Sequence, residues 1–137
     1  MQYLSLDKYR NGVLLAARIL LMILFVLFGW QKITAFGATV GYMASVGAPV
    51  PAISAAIAVI TELGFGLLIV LGYFTRPLAL LMAIYTVVTA IIGHPYWGMS
   101  GMDQYMAMIN FYKNISIAGG LLLLAFTGPG QYSLDRR

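Results

Sequence analysis

Four stretches of about twenty residues, near 13–34, 52–74, 77–93 and 109–127, are apolar almost throughout, and nothing else in the chain constrains the fold as strongly. A helix rises about 1.5 Å per residue and a bilayer's hydrocarbon core is roughly 30 Å thick, so each stretch is long enough to cross it. The composition agrees: 61% of the 137 residues are hydrophobic and only 9% are charged. Soluble domains are about 25% charged, which excludes a water-soluble fold, and disorder needs the opposite composition. Period-two alternation is absent, which argues against a membrane β-barrel. The expectation is an all-α polytopic membrane protein, a single domain over 1–137 built as a four-transmembrane-helix bundle. Lys8 and Arg10 precede the first stretch as in a signal peptide. That run is too long, carries Arg18 and lacks a small-residue cleavage site, so it is expected to remain as a span.

Lys and Arg in short loops sort to the cytoplasmic side. Lys8, Arg10, Arg76, Arg136 and Arg137 fall on one side of a four-span arrangement, while Lys32 and Lys113 lie near the other. Both termini are therefore expected to be cytoplasmic. The opposite loops, near 35–51 and 94–108, carry Tyr42, Tyr96, Trp97 and Tyr105, residues suited to an interfacial belt. Eight basic residues scattered among apolar segments form no basic face, so nucleic acid is not an expected partner.

The absence of cysteine removes thiol chemistry, and one histidine with four acidic residues is too sparse a set for a metal site within one subunit. Interest therefore falls on the few polar side chains at membrane depth. Each costs roughly 2.5–3.5 kcal/mol near the bilayer centre and needs a partner or a purpose. Glu62, the single glutamate, lies about ten residues from either end of its stretch. Ala55, Ala58 and Gly66 share its helical face, so it is expected to point into the bundle. Arg18 and Lys32, fourteen residues apart, share a face with Met22, Phe25 and Gly29. By helix rise each sits roughly 10 Å from Glu62 along the membrane normal, and either cation can be its partner.

On the fourth stretch Asn110, Asn114, Ala118 and Leu121 line one face with Lys113 beside it, and His94 closes the third stretch. Folded together, Lys32, His94, Lys113 and Asn114 ring a mouth above Glu62, a polar pocket open to the non-cytoplasmic side. Blander roles stand beside this one. The two lysines can snorkel to phosphates, His94 before Pro95 can simply end a helix, the asparagines can join helices, and Arg18 can be a structural pairing residue.

The runs Ala17-Arg18 through Phe28-Gly29 to Lys32, Glu62 through Leu71-Gly72 to Thr75-Arg76-Pro77, Gly93-His94, and Lys113-Asn114 with Ala118-Gly119-Gly120 together resemble the DoxX family of small four-helix bacterial membrane proteins. Tyr42-Met43-Ala44-Ser45, Ile92-Gly93-His94 and the Ser133-Leu134-Asp135-Arg136-Arg137 end are similar to its YphA-like inner-membrane branch. The resemblance implies a bacterial inner-membrane location and a recurring polar set at Arg18, Lys32, Glu62, Arg76, His94, Lys113 and Asn114. The family takes its name from the small subunit of a thiosulfate:quinone oxidoreductase, and other members are associated with quinone or oxidative-stress chemistry.

Three functions compete. The first is a quinone-interacting, redox-associated membrane subunit. In it Glu62 and His94 are the catalytic candidates, Arg18, Lys32, Lys113 and Asn114 bind ligand, and electrons come from a redox partner protein or a bound cofactor. The second is a small-molecule or lipid carrier or receptor, and the third is a non-catalytic scaffold. The lipid bilayer is an expected partner in all three, and a homo-oligomer is compatible with each.

Overall fold

A computed structural model describes residues 6–136; Arg137 lies outside the described residues. After a short 3-10 turn at Asp7–Tyr9 come α1 (Arg10–Thr34), α2 (Phe36–Ser45), α3 (Pro51–Val59), a π-helical turn (Ile60–Phe65), α4 (Gly66–Leu71), α5 (Thr75–Gly93), a 3-10 turn (Tyr96–Gly98) and α6 (Gly101–Thr127). The described residues are all-helical, with α3, the π turn and α4 forming one continuous rod. Four helices are long and apolar enough to cross a membrane: α1 with its leading turn, this composite rod, α5 and α6. Large apolar side chains such as Leu20, Leu123 and Phe126 face outward all round. Water would penalise that surface and acyl chains do not.

The rods form two hairpins. α1 packs along the composite rod, and α5 packs along α6 for most of its length. The buried apolar core is Met22, Phe25, Ile69, Ala79, Met82, Ala83, Leu121 and Leu124. Most of them lie in the half of the bundle that holds the N-terminus of α1, the α4–α5 turn and the C-terminal tail, and Phe25 reaches up to the cavity. At that end the hairpins meet. In the other half they diverge.

The joined end is locked through backbone groups. Gly72, at φ 72°, ends α4 in a Schellman motif, with Gly72 N–H donating to Ile69 O and Tyr73 N–H to Leu68 O. The C-terminal tail then lies against this turn, Leu134 N–H donating to Leu71 O and Asp135 N–H to Gly72 O. The Asp135 carboxylate accepts from Phe74 N–H at 3.1 Å and Thr75 N–H at 2.9 Å, capping the start of α5 from a distant part of the chain. Arg76 donates to Phe126 O at 3.1 Å, tying α5 to the end of α6.

Two segments differ from the sequence expectation. The region 35–51 was expected as a loop, yet α2 occupies Phe36–Ser45. Ten residues are too few to span, and α2 instead packs on α3 beside the end of α1. The Thr39 hydroxyl lies within hydrogen-bonding distance of Lys32 O, a carbonyl that the end of α1 leaves open, and of Ala35 O. Likewise α6 begins at Gly101, well before the expected boundary, with Asp103 in its first turn where the helix dipole favours an anion. Near this start Tyr96, Trp97, Phe111 and Tyr112 stack edge to face. Tyr96 and Trp97 thus occupy the end where an aromatic belt was expected.

Candidate functional site

Glu62 lies midway along the composite rod, inside the π turn, and is 7% exposed. A π turn widens the helix by one residue and brings both Thr61 and Glu62 inward, where an unbroken α-helix would turn one of them aside. The carboxylate is held from two sides. Lys32 Nζ of α1 donates to Oε1 at 3.0 Å, and the Tyr85 hydroxyl of α5 donates to Oε2 at 2.7 Å. Glu62 therefore joins both hairpins at the level where they part.

The pairing alternative is resolved: the partner of Glu62 is Lys32. Close approach of the backbones makes this reach possible. A Cβ on Gly29 would lie 2.5 Å from Leu63 N, so the absence of a side chain lets α1 touch the π turn one helical turn from Lys32. The ammonium also sits 5.7 Å from the centroid of the Phe28 ring, a favourable place for a cation.

Above this trio the diverging hairpins enclose a cavity of about 700 Å³. Lys32, Glu62, His94, Lys113 and Asn114 all line it, together with Tyr85. Its walls are otherwise largely apolar, with Leu24, Phe25 and Phe28 from α1, Ile57 from α3, and Val88 and Ile92 from α5. Asn114 Nδ2 lies 3.5 Å from Thr89 Oγ1, and Lys113 donates to Asn110 Oδ1 at 3.3 Å. α2 lies beside the mouth. Its Tyr42 lines the cavity instead of joining the aromatic cluster, and a Cβ on Gly93, next to His94, would stand 3.4 Å from the Tyr42 hydroxyl.

Arg18 is placed elsewhere. Fully buried at the joined end, it donates to Ile69 O at 3.2 Å, Val70 O at 3.1 Å and Tyr132 O. It is absent from the cavity lining. Its guanidinium satisfies the last carbonyls of α4 and holds the C-terminal tail, the structural pairing the sequence left open. Arg76 likewise serves the joined end. Tyr85 is the residue that sequence reasoning missed. No signal in the sequence singles it out, since a tyrosine in an apolar run has many ordinary explanations.

A small four-span membrane protein, with a buried acidic group bridging two hairpins beneath a polar-floored cavity, is the class that this geometry defines. The family model described as DoxX matches residues 13–95. Over 137 residues the chain is 53% identical to the inner membrane protein YphA of Escherichia coli, covering 100% of this chain and 98% of that one. It is 44% identical to the inner membrane protein YqjF of the same organism, covering 96% and 95%. The ER-derived vesicles protein ERV29 of Saccharomyces cerevisiae is 27% identical over 96% of this chain but only 35% of its own length. No solved structure matches. The chain belongs to the DoxX family and is an integral, multi-pass inner-membrane protein.

Proposed function

We propose that this protein is a quinone-interacting membrane subunit of a redox assembly, acting as a single domain with both termini in the cytoplasm and the cavity in the outer half of the membrane. The observation that carries the reading is the Lys32–Glu62–Tyr85 trio at the floor of a largely apolar cavity. Pockets that take a drug-sized organic ligand run from about 300 to 1,000 Å³, apolar with a few converging polar groups, and this one fits that description.

A quinone supplies two-electron chemistry coupled to proton uptake, and the donors present suit its two carbonyl oxygens. Lys32 uses one N–H on Glu62 and has others to offer, and Asn114 and Lys113 add amide and ammonium donors further up. Glu62 can hold a proton at Oε1 or Oε2, with Lys32 and Tyr85 fixing the carboxyl in place. His94, which also lines the cavity, exchanges protons with the water outside in this reading. Arg18 orders the far end of the bundle and acts on the site only through the packing. Electrons come from a partner protein or a second bound cofactor, because the chain has no cysteine and one histidine with which to hold a redox centre of its own.

The test is titration of the purified protein with ubiquinone and menaquinone analogues. Saturable binding is expected, weakened about tenfold in Glu62→Gln or His94→Ala, as for loss of one buried hydrogen-bonding partner. No saturable binding, or binding indifferent to both substitutions, overturns the reading.

A further inference from the structure

α3 and α5 both line the cavity but do not pack on each other. No Cα of one comes within 8 Å of the other, and the contacts between these two rods are made lower down by the π turn and α4. The gap is flanked by Ile57 on α3 and Val88 on α5. Each is also part of the outer surface, 51% and 45% exposed. Ile57 lies about two turns in from the start of α3 and Val88 just over one turn in from the end of α5, so the two stand at similar depth. That level is above Glu62 and inside both candidate membrane spans. On the other side α1 and α6 do come into contact, and α6 brings Lys113 and Asn114 to the cavity. At the mouth, α2 brings Tyr42 across to Gly93.

From this asymmetry we infer that the ligand is a long-tailed amphiphile that reaches the cavity sideways from the bilayer, through the gap between α3 and α5, and leaves its hydrocarbon tail there. The inference rests on the quinone reading and narrows its ligand class to polyprenyl-tailed quinones. Polar donors at the floor take the head group, and the apolar gap lets the tail pass without dehydrating any polar wall. Lipid is as apolar as the gap, so moving the tail into it yields little hydrophobic gain. The gap acts instead by steric permission. A tail of many isoprene units cannot coil beside its own head group in about 700 Å³, so the head seats only if the tail can leave.

The experiment compares two probes, a ubiquinone head group without a tail and a long-chain polyprenyl ubiquinone, by equilibrium binding in lipid nanodiscs with empty discs as the partition control. The unmodified protein is set against Val88→Trp and the double variant Ile57→Phe/Val88→Phe. These positions are half-exposed and tolerate bulk, and retained binding of the tail-less probe reports an intact fold. In the blocked variants the long-tailed probe is expected to lose about tenfold or more affinity beyond whatever the tail-less probe loses. Unchanged binding of both probes, or an equal loss of both, overturns the gap as the tail's path. If the unmodified protein binds the tail-less probe but not the long-tailed one, the inference fails and the quinone reading stands. If it binds neither, the quinone reading itself fails and the inference falls with it.

Discussion

At the scale of single residues, the site is a carboxylate with two unequal partners. Removing Lys32 leaves a charge stranded among apolar walls, whereas removing the Tyr85 hydroxyl removes one donor of two. Breaking a buried ion pair costs roughly 3–5 kcal/mol, and the lower end applies here because the Lys32 side chain keeps 24% of its surface exposed. Loss of a neutral donor to a buried group costs about 1–3 kcal/mol. Lys32→Met is therefore expected to lower the thermal midpoint in detergent more than Tyr85→Phe does. The double variant Lys32→Met/Glu62→Gln should recover part of the loss, since the stranded charge is gone. A double variant no more stable than Lys32→Met alone would show that the pair carries little of the stability. Glu62, Lys32, His94, Lys113 and Asn114 were legible because polarity at membrane depth is costly and so stands out in an apolar chain. Tyr85 was not, because tyrosine is nearly as much at home in such a run as phenylalanine. The partner of Glu62 was not legible either, since helix rise placed both cations equally far and only the lateral approach at Gly29 decided between them.

At the scale of elements, the decisive contact is between α1 and the π turn. A Cβ on Gly29 would meet the backbone of Leu63, which cannot move aside as a flexible side chain can. Gly29→Ala is expected to force the two rods apart, costing about 1–3 kcal/mol as other overpacked interfaces do, and to weaken the Lys32–Glu62 pair. Gly119 on α6 makes the control. A Cβ there meets nothing within 4 Å, so Gly119→Ala should be neutral or stabilising by up to about 1 kcal/mol through helix propensity. Thermal unfolding in detergent separates the two, and an equal effect from both would deny the close approach any special part. The spans were legible from length and apolar content alone. The π turn was not, because the face assignment assumed 100° per residue throughout. α2 was not, because ten residues with two glycines and no charge offer neither the length of a span nor a capping signal. Arg18 was legible as a buried cation, but its acceptors are backbone carbonyls of α4 and the tail, and backbone acceptors have no signature in sequence.

At the scale of the whole molecule, the two ends of the bundle have different work. The joined end gathers Lys8, Arg10, Arg76 and Arg136 and closes on itself through Arg18, Asp135 and the C-terminal tail. The divergent end holds the cavity and, among the described residues, Lys32 and Lys113 as its fixed cations. The positive-inside rule is the basis for the proposal that the joined end faces the cytoplasm, with the cavity then in the outer half of the membrane. Fusion reporters test this on the intact chain. A green fluorescent protein at the C-terminus is expected to fluoresce and an alkaline phosphatase at the same point to be silent, while phosphatase placed in the turn after Gly98 should be active. The reverse pattern would turn the molecule over. His94 and Lys113 would then exchange protons with the cytoplasm, and Glu62 would draw protons from the cytoplasmic side, a different place in any redox assembly. Orientation thus decides which compartment supplies the proton that the trio is proposed to hold.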